Sequence, residues 1–72
     1  MMSYLGVIEW DGNGQYVGKI PGLKDCQVIG ASLEDAQIRL RTRLHEIITR
    51  THGRVTGWPL VTWMVRRRFR PA

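Results

Sequence analysis

Nine side chains in this 72-residue chain could do acid–base, nucleophilic or metal chemistry: Glu9, Asp11, Asp25, Glu34, Asp35, Glu46, Cys26, His45 and His52. A metal-dependent nuclease needs several carboxylates converging on its ions. Here the carboxylates have nearer duties. Asp11 opens a turn, Asp35 completes a helix cap, and Glu34 sits at the positive end of a helix dipole. Cys26 with a histidine would make a thiol nucleophile pair. The thiol falls in a short strand that faces the helix, where a free cysteine behaves as a small hydrophobe. His45 and His52 stand seven residues apart on one helix, about 10 Å along its axis. One zinc, with bonds of about 2 Å, does not span that distance. Asp11-Gly12-Asn13-Gly14 is too short for a phosphate-cradling loop and joins two strands instead of opening a helix. The expectation is therefore no enzyme, no cofactor and no metal.

The elements that hold these residues are legible in order. Tyr4 to Trp10 is rich in aromatic and β-branched residues and predicts a first strand. Asp11 to Gly14 supplies tight-turn chemistry. Gln15 to Ile20 predicts strand two, with Tyr16, Gly18 and Ile20 on one face and Gln15, Val17 and Lys19 on the other. Pro21 ends it. A turn over Gly22 to Asp25 leads to a short third strand, Cys26 to Ile29, stopped at Gly30. Ser32 starts a helix that runs to about His52. The Ser32 hydroxyl accepts from the Asp35 amide, and the Asp35 carboxylate reaches back to the Ser32 amide. Arg50 and His52 suit the negative end, and Gly53 is a C-terminal cap. Leu33, Ala36, Leu40, Leu44, Ile47 and Ile48 form one apolar stripe. Ile38 falls well off it.

After a turn at Arg54 to Gly57, Pro59 holds Trp58 extended. A fourth strand is expected over 60 to 69. Val61, Trp63, Val65 and Phe69 share one face, broken by Arg67, and Thr62, Met64, Arg66, Arg68 and Arg70 share the other. The order is β-β-β-α-β. The expected fold is α+β, a mostly antiparallel sheet with one helix on one face. Residues 1–72 make a single domain, too small for a large core, so self-association is expected. Ile38 and Met64 are the candidate self-association residues. A homodimer or higher oligomer follows.

The net charge is +5, and all nine arginines lie from Arg39 onward, which points to an acidic partner or to nucleic acid. No apolar run approaches the roughly 20 residues that span a bilayer. No basic-then-apolar leader is visible. The single cysteine argues against a secreted, disulfide-stapled scaffold. A cytoplasmic protein without membrane contact is expected.

The run Gly14-Gln15-Tyr16-Val17, then Ile20-Pro21-Gly22-Leu23, Cys26, Gly30 and Ser32-Leu33-Glu34-Asp35-Ala36, behind an aromatic-led first strand, resembles the HicB antitoxin family. The resemblance covers roughly residues 4 to 50 and is closest to that family's small stand-alone relatives. It implies a partial ribonuclease H-like fold without nuclease activity, and a small mRNA-cleaving toxin as the partner to be occluded. Family antitoxins carry a separate C-terminal DNA-binding segment. The nineteen residues after Gly53 read as one strand, so no such domain is expected here. The partner surface is assigned to the last strand and the helix flank, with Arg39, Arg43, Trp58, Arg66, Arg68 and Arg70. Three readings of the arginine-rich end stay open: a protein interface, a nucleic-acid site in which Phe69 or Trp58 stacks on an unpaired base, and a solvated edge strand that resists aggregation. A small phage or mobile-element inhibitor of a host complex is a further alternative.

Overall fold

A computed structural model describes residues 3–53 and 57–67. The expectations for Arg54, Arg68, Phe69 and Arg70 lie outside the described residues. Within them the order is β1 (Ser3–Trp10), β2 (Tyr16–Lys19), β3 (Gln27–Gly30), α1 (Leu33–His52) and β4 (Leu60–Arg67). The four strands form one sheet in the order β3-β2-β1-β4. The β1–β2 and β2–β3 pairs are antiparallel, and β4 joins β1 in parallel. The α+β expectation holds: two pairings of three are antiparallel, and one helix covers one face. The third strand starts one residue later than expected, so Cys26 precedes β3.

The β1–β2 turn is held by Asp11, whose Oδ1 accepts from the Asn13 and Gln15 amides at 2.8 and 3.2 Å. Gly12 and Gly14 take the positive φ values, 86° and 82°. Helix α1 starts as its sequence requires. Ser32 Oγ accepts from the Asp35 amide at 3.0 Å. The return bond differs from expectation. Asp35 Oδ2 accepts from the Ala31 amide at 2.9 Å, not from Ser32, since a carboxylate at the third helical position reaches the amide on either side of that spacing. Arg39 clasps the same carboxylate at 3.0 Å. The Ala31 bond, then Arg39, hold the Asp35 carboxyl below its ordinary range. Gly53 ends the helix with φ 79°.

The stripe buries Ala36, Leu40, Leu44 and Ile48 against Ile8, Ile20 and Cys26. Fully burying a side chain the size of Leu40 or Leu44 contributes about 1.5–3 kcal/mol. Leu33 and Ile47 pack half-buried at its margin. Two glycines allow the helix to lie close. A Cβ on Gly30 would stand 2.6 Å from the Ala36 amide nitrogen, and one on Gly18 would stand 3.3 Å from Leu40. Helix α1 therefore rests mainly on β3, then on β2 and β1, and β4 lies outside its main footprint. On β4 the ring of Trp63 folds over Gly6, where an added Cβ would come within 2.7 Å of it.

Two outcomes follow from this packing. Gly30→Ala must push α1 off β3, an overpacking cost of about 1–3 kcal/mol, read as a melting point lower by at least about 4 °C. An unchanged melt would mean that the approach is looser than described. Asp35→Asn lowers stability at neutral pH by removing the charge that the Ala31 amide and Arg39 hold. Because the folded carboxyl is depressed, its contribution is present above the ordinary carboxylate pKa and is lost as pH falls through the folded value. The two proteins' melting points must converge in acid.

Candidate functional site

Alternation along the strands sorts the exposed side chains onto two sides of the sheet. The uncovered side carries Gln27 and Ile29 of β3, Val17 and Lys19 of β2, Leu5, Val7 and Glu9 of β1, and Leu60, Thr62, Met64 and Arg66 of β4. Leu5, Ile29, Leu60 and Met64 are exposed there, while Val7, between Lys19 and Met64 in register, is 4% exposed. Glu9 stands toward the end of β1, in register with Arg66 and Val17. Its Oε1 meets Lys19 Nζ at 3.1 Å, and its Oε2 meets Arg66 Nε at 3.4 Å. One carboxylate thus ties three neighbouring strands through side chains from either side. The result is a largely apolar surface with one charge cluster toward the end of β1, carrying a single net positive charge.

The helix side is different. The main footprint of α1 lies on β3, β2 and β1, and Val61 and Trp63 of β4 pack half-buried at the margin of the core. Helix spacing turns Arg41 and His45 toward that margin. The Arg41 guanidinium lies over the Trp63 ring, 5.9 Å from its centroid. Arg67 lies over Trp10 at 5.0 Å, the residue opposite it in the parallel register. Trp10 in turn stacks on Tyr16 across the β1–β2 pair, with centroids 6.4 Å apart. Trp58 is 61% exposed and leans on His45, with centroids 4.5 Å apart. Trp58, Ile38, Arg41 and Thr42 line a recess of about 200 Å³.

The other flank of α1 faces β3. Arg39 is held by Asp35. Arg43 donates to the Asp25 carbonyl at 3.1 Å and approaches Glu46 at 3.5 Å. With Val28, Ile29, Ile38 and Thr42 these residues border an open hollow of about 430 Å³.

The residues assigned to a partner surface from sequence therefore do not form one patch. Arg39 and Arg43 share the β3 flank. Trp58 stands on the β4 flank, and Arg66 lies beneath, on the uncovered side. Arg68 and Arg70 lie outside the described residues. Ile38 crests the helix and Met64 is on the opposite layer, so the two proposed self-association residues belong to different surfaces. Sequence reasoning missed the Arg41–Trp63 and Arg67–Trp10 pairs and the central role of Glu9. All three depend on β4 lying parallel beside β1, which residue types do not announce. Helix spacing alone would have set Arg41 beside His45.

Among the described residues no group of three or more His, Cys, Asp and Glu could hold a metal ion, and no helix is long and apolar enough to cross a membrane. Cys26 is fully buried. Burial pushes its thiol above its ordinary pKa, and nearby Arg43 pulls it partly back. No protein-family model, curated protein or solved structure matches this chain.

The buried thiol makes a direct check on the core. Cys26 must resist an alkylating reagent in the folded protein and react fully on denaturation. Rapid native labelling would mean that the β2–β3 corner opens. Since the folded thiol resists ionisation, stability must also decline as pH rises past the ordinary thiol range, where only the unfolded chain gives up the proton.

Proposed function

We propose that this protein is a non-catalytic protein-binding module that sets the uncovered side of its sheet against a small protein partner. One observation carries the reading. Leu5, Ile29, Leu60 and Met64 stand exposed on that side, beside a charge cluster in which Glu9 binds both Lys19 and Arg66 and only a single net positive charge remains. Such a surface gains by excluding water against another apolar surface, and its rigid four-stranded base costs little ordering on contact. The HicB resemblance suggests the class of partner, a small mRNA-cleaving toxin whose working surface the sheet would cover. The β-β-β-α-β order with a single helix on one face accords with that resemblance. The cytoplasm is the proposed setting, since a free thiol such as Cys26 persists in a reducing compartment.

A second copy of the chain competes for the same surface, and the two occupants are separable. Where a small reading frame adjoins its gene, co-expression with that product should give a complex that survives purification. Met64→Asp and Leu5→Asp, at exposed positions, should keep the native melt and weaken that complex by at least about 30-fold, the loss expected at an interface centre. If no complex forms, or if both variants bind as well as the natural protein, the reading is wrong. If light scattering shows a dimer of the protein alone that Met64→Asp dissolves, the surface serves self-association instead.

A further inference from the structure

We propose that the side of the molecule where α1 borders β4 binds single-stranded nucleic acid, with one unpaired base stacked on Trp58 and backbone phosphates held by Arg41 and Arg67. This site is separate from the uncovered side of the sheet and does not rest on it.

The three tryptophans of the chain all serve this side of the molecule. Trp58 stands exposed against His45 of α1, Trp63 lies under Arg41, and Trp10 lies under Arg67. The two arginines differ from the other paired cations. Lys19 and Arg66 share Glu9, Arg39 has Asp35, and Arg43 has Glu46. Among the described residues, Arg41 and Arg67 have no carboxylate within 4.0 Å and lie instead over indole rings. A guanidinium laid on a ring keeps its N–H edge free and pre-oriented, the arrangement that suits bidentate phosphate recognition. Both side chains are exposed. Along β4, Trp63 and Arg67 are separated by four residues, about 13 Å, so the cationic track extends beyond a single anion. The acidic residue that helix spacing sets on this flank is Glu34, at the start of α1 and exposed. The net charge of +5 adds long-range attraction for a polyanion.

The recess at Trp58 selects the form of the ligand. Its 200 Å³ falls below the roughly 300–1,000 Å³ of small-molecule pockets. It is lined by the Trp58 indole, Ile38, Arg41 and Thr42, and its volume suits one flat ring. A base can enter only when it is unpaired, so a duplex is disfavoured. An acidic peptide would satisfy the arginines but leave the aromatic recess without a role.

The test is fluorescence anisotropy with labelled single strands of about 12 nucleotides, DNA and RNA, at about 50 and 200 mM salt. The natural protein should bind at low salt and lose at least about sevenfold in affinity at the higher concentration, the effect of two phosphates at a slope of about 0.7 each. Arg41→Ala combined with Arg67→Ala should weaken binding and flatten the log–log salt slope by about 1.4. Trp58→Ala should cost about 5- to 150-fold with the slope unchanged, and Trp58→Phe should retain most of the affinity. All three positions are exposed, so each variant should melt like the natural protein, and Met64→Asp should bind the strand normally. Absence of binding at low salt overturns the proposal. So does equal affinity for a duplex or for a polyglutamate peptide, or a loss confined to Arg68→Ala with Arg70→Ala, which would move the contact to the C-terminal arginines.

Discussion

The closeness with which α1 meets the sheet at Gly30 governs the rest of the molecule. No side chain larger than hydrogen fits between that backbone and Ala36. Gly18 makes a second low point beneath Leu40. The helix settles where the sheet is thinnest, over the hairpin strands, and its axis is thereby displaced away from β4. Packing that maximises van der Waals contact on one side leaves β4 on the other side only partly roofed, with Val61 and Trp63 half-buried. Both surfaces described above follow from that displacement. A single helix cannot shield a second sheet face, and a helix seated toward β3 cannot shield all of the first.

The charges follow the same division. Where a cation lies on a strand or flank with a carboxylate nearby, it is spent on the protein's own architecture. Glu9 draws Lys19 and Arg66 together across three strands, and Asp35 serves at once the Ala31 amide, the helix start and Arg39. On the partly roofed side the cations find indole faces instead. Exposed ion pairs contribute little to stability, at most about 1 kcal/mol each. Their larger effect is on which surfaces present net charge to an approaching molecule.

Much of this was legible in the residues, and the limits are physical. The helix could be placed almost to the residue, because cap, stripe and terminating glycine are local signals that agree. The Asp11 turn and the alternation of β2 were equally local. The Ala31 bond to Asp35 was misassigned by one residue, since a carboxylate three positions into a helix reaches more than one amide. The position of β4 was beyond reach. Val61, Trp63 and Val65 alternate identically whether the strand lies next to β1 or at the β3 edge, parallel or antiparallel. The neighbours of Trp63, Arg66 and Arg67 depend on that choice, so the candidate surfaces were scattered wrongly into a single patch. Gly6 was the overlooked clue, as a strand glycine often marks where a bulky neighbour crosses the backbone.

The parallel partnership of β1 and β4 also shapes how the protein is made. Of the four described strands β1 comes first along the chain yet lies inside the sheet, and one of its two hydrogen-bonding edges stays open until β4 has been synthesised. The hairpin and helix can assemble early from neighbours in sequence, whereas closure of that edge is the most distant contact and so the slowest to recruit. A chain stalled ahead of β4 would thus present a long, largely apolar strand to whatever lies nearby, which makes the arrival of β4 the event that covers the edge most open to aggregation.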